Sequence, residues 1–416
     1  MHSDKIKLRR FALHLYFAGD ARRSPNEESG NTMNRLMKTT RAAVLVAICF
    51  LSFSYGVGVA TYHWPPYSLL KTIKLAIKPL PAVGRSEGNA SDPDVSKAHY
   101  HSLLRMGSPQ PLNIPDFDST SSFLAWQEKR RSAFIERMLY PYHEPVEITK
   151  AEIVENEEFR QETFEVFLGQ KRLFRYFRLQ PKKSRRGKVN GSLPTILAFV
   201  GHGCVLDVLE DDVSYQHAFA ASFARDGYLV YVMENVGMEP GRDIHKALDQ
   251  ALRLEGWGWY NLLFSHQRIM LHQVLLDPFV DSDRIGAAGV STGGLLALVA
   301  AAQEPHIKAA SVQGIFSSLR TSFIRDRGRH CSCGAIPNAL PDFDLPILAL
   351  LVTPRHLQIV NGKYDGFPPQ EAQRCLDSIH PILQQLEYPD PEFAIAPGAH
   401  SFDVSSAMEF FNKSLN

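Results

Sequence analysis

Gly289-Val290-Ser291-Thr292-Gly293 is the stretch on which the reading of this chain turns. The apolar run Arg284-Ile285-Gly286-Ala287-Ala288 precedes it, and a small-residue helical pattern from Gly294 to Ala302 follows. Strand, sharp turn and helix are the context in which Gly-x-Ser-x-Gly lifts a serine hydroxyl above a sheet. Glycines flank the serine because a Cβ there meets neighbouring backbone. The first amides of the following helix point at whatever reacts at the turn. Five residues alone also suit a Gly-rich turn used only for close packing. The choice rests on whether partners for Ser291 lie where this architecture needs them.

Chain order after such an elbow is Ser, then Asp or Glu, then His, with the last two on loops after later strands. His356 to Val360 reads as a buried strand and ends in Asn361-Gly362-Lys363-Tyr364-Asp365-Gly366, a turn-rich loop carrying an acid. A helical stretch from Pro369 to Leu386 follows, and Glu392 to Ala396 reads as the last strand, ending in Pro397-Gly398-Ala399-His400. Ser291, Asp365 and His400 therefore share the carboxyl edge of a parallel sheet, where open α/β folds bind ligands. A serine hydroxyl needs a neighbouring base at pH 7. Histidine accepts that proton and returns it, and a carboxylate behind it fixes its tautomer. The chain has 16 histidines, so His400 is singled out by position and not by type.

An oxyanion hole is the fourth part. Pro194 to Val200 reads as a buried strand running into Gly201-His202-Gly203-Cys204. One donor is expected to be the Thr292 amide, and the other the Cys204 amide, with Gly203 as the alternative. His202 is read as bracing this loop by hydrogen bonding.

From about Ser121 onward these residues resemble the α/β-hydrolases of the dienelactone hydrolase and acetyl xylan esterase-like group. Asp277 to Gly286 is similar to that group's lead-in to the elbow strand, and Pro354-Arg355 with Leu357 to Gly362 to its acid-bearing strand. His330-Cys331-Ser332-Cys333 followed by Ile336-Pro337, and the helix around Trp126, resemble the esterase-like branch. The resemblance implies an α/β-hydrolase fold, a Ser291–Asp365–His400 triad, no cofactor, and small acyl esters, including acetyl groups on carbohydrate. Dienelactone hydrolases proper carry a cysteine nucleophile. The serine here points away from dienelactone and toward ester cleavage.

The flanking sequence sets the organisation. The 416 residues suffice for one α/β domain and appendages, and the formal net charge of +1 gives no electrostatic case for nucleic acid. Residues 42–62 are uncharged and long enough to span a bilayer, with Arg35, Lys38 and Arg41 before them and Trp64 and Tyr67 after. They read as a single membrane anchor, or as a signal peptide cleaved near Ala60. Either places the domain outside the cytoplasm, anchored or secreted. Residues 1–41 form the cytoplasmic segment, 63–120 a tether rich in Pro, Ser, Gly and Asp, and 121–416 the hydrolase domain. Thr120 to Tyr140 reads as a helix, Glu147–Phe159 and Thr163–Leu179 as two antiparallel strands, and Leu229–Met233 as a strand between helices at Asp211–Asp226 and Leu262–Leu276. Lys182 to Lys188 reads as a solvated hairpin loop.

There are five cysteines. Cys331 and Cys333 are too close for a relaxed disulfide, so a bridge would require Cys204 or Cys375. His330 with the two cysteines lacks zinc-site spacing and an obvious fourth ligand, so no metal is assigned; the loop is expected to shape the substrate pocket. A peptidase, a lipase or a non-catalytic binding module on the same fold are the competing readings. Only about 120 residues precede the domain, without the blade repeats of a gating propeller, which weighs against a peptidase. The three filled triad positions weigh against a binding module.

Overall fold

The elbow strand runs through the middle of a twisted sheet whose edges are of different kinds. The structure is a computed structural model and describes residues 102, 111–183, 191–325 and 330–415. Among these the strands are β1 (Val146–Glu155), β2 (Phe159–Leu168), β3 (Lys171–Pro181), β4 (Leu193–Phe199), β5 (Leu229–Met233), β6 (Val280–Val290), β7 (Ile307–Gln313), β8 (His356–Gly362) and β9 (Glu392–Ala396). The helices are α1 (Thr120–Met138), α2 (Leu206–Leu209), α3 (Phe219–Arg225), α4 (His245–Arg253), α5 (Trp259–Leu276), α6 (Thr292–Gln303), α7 (Leu345–Val352), α8 (Pro369–Gln385) and α9 (Val404–Ser414). The spatial strand order is β1-β2-β3-β5-β4-β6-β7-β8-β9. β1, β2, β3 and β5 pair antiparallel, and β5 to β9 run parallel.

Helices cover both faces, which is why β4 and β5 are continuous apolar runs and not alternating ones. Alternate residues still go to opposite faces. Leu197, Phe199, Tyr231 and Met233 join the core beneath α1, α5, α6 and α7. Ile196, Ala198, Val230 and Val232 join the core beneath α3 and α9. α6 is buried on every side, and its Gly and Ala surface allows that close approach.

Two side chains explain the resemblance motifs structurally. Arg355 donates to the carbonyls of Glu304, Ile307 and Leu351, tying the start of β7 to the end of α7. Asp277, at the α5–β6 turn, accepts from Arg178 on β3 and Tyr231 on β5. α1 docks through Gln127, which donates to the Leu350 and Thr353 carbonyls at 2.6 and 2.7 Å.

Several boundaries differ from the sequence reading. The stretch read as two leading strands forms three, because Gly169, at φ 57°, turns the chain between β2 and β3. The helix read over Asp211–Asp226 is confined to Phe219–Arg225. Asp211 accepts the Val213 and Ser214 amides at 3.0 and 3.1 Å, and His217 and Ala218 are left-handed, so the helix cannot start earlier. Leu112, Ile114 and Phe117, read as part of the tether, pack against the core. Residues 42–62 lie outside the described residues. Among the described residues no helix is long and apolar enough to cross a membrane.

Candidate active site

β6 delivers Ser291 at φ 61°, ψ −125°, a strained conformation for a residue with a side chain. The strain is held from several sides. The Ser291 amide donates to the Gln313 carbonyl at the end of β7, 2.9 Å away. A Cβ on Gly293 would lie 2.0 Å from the Phe199 carbonyl oxygen, so α6 can press against β4 only with glycine there. Ser291 is buried to 8 % exposure at the carboxyl edge of the sheet.

The loops after β8 and β9 interlock. The Lys363 and Tyr364 amides donate to the Ala396 and Gly398 carbonyls, which sets Asp365 beside His400. His400 Nδ1 lies 2.9 and 3.1 Å from the two Asp365 carboxylate oxygens. Asp365 is almost wholly buried, at 1 %, while His400 keeps 32 % of its side chain exposed. The Asp365 carboxylate is sequestered, and the His400 ring keeps an exposed edge.

No hydrogen bond joins Ser291 to His400 among the described residues; Tyr215 packs beside His400. Its ring stacks on His400 at 5.3 Å, and its hydroxyl donates to the His202 carbonyl at 3.2 Å. Burial pushes the Tyr215 phenol far up, so it stays protonated. Catalytic hydrogen bonds are often long or unformed without substrate. Sequence reasoning missed Tyr215, which lies in a turn read as helix. It also missed Gly314, where a Cβ would come within 3.2 Å of both Asp365 and His400, and Gln313, whose side chain exchanges hydrogen bonds with the Asp403 backbone near His400.

The loop after β4 is pinned through its backbone. Gln216 accepts the Gly201 amide at 2.6 Å, and Asn235 donates to the Val200 and Gly201 carbonyls at 3.0 and 2.7 Å. Among the described residues the amides of Gly203, Cys204 and Thr292 donate to no backbone carbonyl in the loops and turns, and Thr292 itself is fully buried. His202 Nδ1 lies 2.6 Å from Thr292 Oγ1, which also meets the Tyr260 hydroxyl at 2.8 Å. This bridge ties the loop to the first residue of α6.

Behind His202 the assignment of donors needs correction. His330, grouped with the two cysteines in the sequence, instead stacks on Phe367 at 4.0 Å. His202 and His245 take the place beside Cys331 and Cys333, and the four ligating atoms lie within 4.8 Å of one another. The missing fourth ligand was hidden because His202 follows β4 and His245 opens α4, both far away in sequence. All four described cysteines are free thiols, so neither Cys204 nor Cys375 bridges this loop. Hydrogen bonding from Cys333, and then from His202 and His245, holds the Cys331 thiol well below the usual range. Against a burial penalty, Asp243 and Cys331 raise the pKa of His245.

A separate cavity of about 390 Å³ lies elsewhere, lined by Leu112, Ser318, Asp344, Glu371 and Cys375. It contains neither Ser291, Asp365 nor His400, and it offers no activated nucleophile.

The mixed sheet, the strained serine after β6 and the loops after β8 and β9 define the class of α/β-hydrolases. The chain belongs to the Abhydrolase family, whose model matches residues 92–366. That match includes Ser291 and Asp365 and stops short of His400. No curated protein matches the chain. Among solved structures, a Bacteroides fragilis protein assigned as an acetyl xylan esterase is similar at 17 % identity and a TM-score of 0.57, over 80 % of this chain and 92 % of that one. A promiscuous esterase from a marine bacterial metagenome is similar at 13 % identity and 0.54, over 75 % and 99 %. A glucuronoyl esterase from Solibacter usitatus is similar at 13 % and 0.51, over 75 % and 96 %. At such identities the likeness is one of fold.

Proposed function

We propose that this chain is a serine esterase acting on carboxylic esters with short acyl groups. The observation that carries the proposal is one shared sheet edge: His400, bonded to both Asp365 oxygens and stacked on Tyr215, lies on the same edge as the strained Ser291. Ser291 Oγ attacks the ester carbonyl as His400 Nε2 takes its proton. The negative oxygen of the tetrahedral intermediate is held by the Thr292 amide and the Cys204 amide, with Gly203 as the alternative donor. The protonated His400 passes its proton to the leaving alcohol. Water, deprotonated by the same nitrogen, then cleaves the acyl-enzyme, releasing the acid and restoring Ser291. Asp365 keeps His400 in the required tautomer throughout. No step calls for a cofactor.

The esterase names of the structural neighbours set the substrates to try first, acetylated and esterified carbohydrates among them. Full-length protein is assayed with p-nitrophenyl esters of increasing chain length, with Ser291→Ala alongside. Turnover of acetate that declines with chain length and vanishes in the variant supports the proposal. Activity that jumps above a substrate's micellar concentration indicates a lipase. Turnover that survives in Ser291→Ala, or a folded protein inert to every ester, contradicts it. The proposal extends to residues 42–62 as an anchor that keeps the domain outside the cytoplasm. Recovery of the full chain in the soluble fraction after cell lysis, with residues 42–62 intact, contradicts that part.

A further inference from the structure

Four side chains that the ester chemistry does not use converge behind the oxyanion loop. His202 Nε2 lies 3.3 Å from Cys333 Sγ, and His245 Nε2 lies 3.3 Å from Cys331 Sγ. His245 and Cys333 are buried, and His202 and Cys331 are partly so. Two imidazoles and two thiols are a donor set that suits zinc, held tetrahedrally with bonds of about 2.0 to 2.3 Å. Such bonds put neighbouring donors about 3.3 to 3.8 Å apart, so the sulfur–nitrogen pairs already match and the widest separation closes by about 1 Å.

The outer nitrogens make the stronger argument. A metal-bound histidine usually gives its other N–H to an oxygen, which fixes ring orientation and tautomer. Both histidines do so here. His245 Nδ1 meets Asp243 Oδ1 at 2.5 Å, and His202 Nδ1 meets Thr292 Oγ1 at 2.6 Å. With Nδ1 as donor in each ring, both Nε2 lone pairs face the sulfurs. Trp259, fully buried, closes the cluster, its ring centre 5.7 Å from that of His202 and 5.2 Å from that of His245. A dry wall of this kind strengthens metal–thiolate binding by excluding water.

We propose that His202, His245, Cys331 and Cys333 bind one zinc ion as a closed structural site. With all four positions filled by protein, the ion has no open place for water or substrate. Its task is mechanical. Through His202 and Thr292 it fastens the loop carrying the Gly203 and Cys204 amides to the start of α6, and through Cys331 and Cys333 it gathers the loop that precedes α7.

Metal content tests this apart from any esterase activity. The full chain is purified without chelator from zinc-supplemented medium, and zinc is counted by elemental mass spectrometry after gel filtration. The expected result is one zinc per chain, retained in His330→Ala and lost in Cys331→Ser and in His245→Gln. Replacing zinc with cobalt in the wild type is expected to give thiolate-to-cobalt charge-transfer absorption and the intense visible bands of a tetrahedral site. This reading stands even if the cysteine variants fail to fold. Folded wild type with less than about a tenth of a zinc per chain and no cobalt–thiolate absorption overturns the proposal.

Discussion

Thr292 stands between two clusters of very different legibility. On one side are Ser291, Asp365 and His400; on the other are His202, His245, Cys331 and Cys333. The first group can be read from sequence because each member ends a strand, and parallel strands leave all their carboxyl ends on one edge. Chain order and strand periodicity are then enough to assign the three to that edge, where Asp365 and His400 are hydrogen-bonded to each other. The second group has no such rule. Cys331 and Cys333 lie in an irregular loop before α7, His202 in a loop fixed by Gln216 and Asn235, and His245 at a helix start. Their meeting depends on how loops stack on α5, which no local pattern encodes. Secondary structure carries the reach of sequence reasoning, and loop packing limits it.

The same limit appears in the fold. β4, β5, β8 and β9 are legible as short apolar or β-branched runs between turn residues. β7 is not, because Ile307-Lys308-Ala309-Ala310-Ser311-Val312-Gln313 is too rich in Ala and Ser to announce a strand. Its importance is positional: Gln313 holds both the Ser291 amide and the Asp403 segment. The Gly169 turn went unread because strong alternation continues on both sides of it. Tyr215 was masked by a helical pattern that the Asp211 side chain interrupts.

The two clusters call for different kinds of damage. Ser291→Ala is expected to lower kcat for p-nitrophenyl acetate by about 10⁵ to 10⁶, with the thermal midpoint nearly unmoved. Asp365→Asn is expected to cost about 10⁴ in kcat with little change in KM, since His400 is left in the wrong tautomer. If either variant melts much earlier than wild type and keeps its activity, the distinction between the clusters collapses. Zinc removal is expected to do the reverse. A site filled at a hundred times its Kd adds about 2.7 kcal/mol of stability, or about 5 °C in a domain of this size. A strong chelator is therefore expected to lower the midpoint in calorimetry by that order, and restored zinc to recover it. Unchanged melting in protein shown to have lost its zinc would deny the ion a fastening role.

Two smaller effects sharpen the picture. Tyr215→Phe removes the hydroxyl that donates to the His202 carbonyl in the loop after β4. A lost hydrogen bond of about 1 kcal/mol predicts a fall of roughly fivefold to tenfold in kcat at unaltered zinc content. Asp342 belongs to neither cluster and acts as a control. Hydrogen bonds from Arg137 and then Arg130, both on α1, hold its carboxyl down from 3.8 to about 2. A depressed folded pKa contributes stability that is full above about pH 5 and is lost as pH falls through about 2. Asp342→Asn is therefore expected to destabilise by about 1 kcal/mol at neutral pH, converging on wild type toward pH 2 in acid-melt curves. Neither kcat nor zinc content is expected to change.

The central claim is that Ser291 is an activated nucleophile. A fluorophosphonate probe reacts with such serines and leaves ordinary hydroxyls alone. Full-length protein is treated with the probe, digested, and the adduct mapped by mass spectrometry. The account predicts a single adduct on Ser291, absent in Ser291→Ala and strongly slowed in Asp365→Asn. A folded wild type that takes no label, or takes it on another residue, would contradict it.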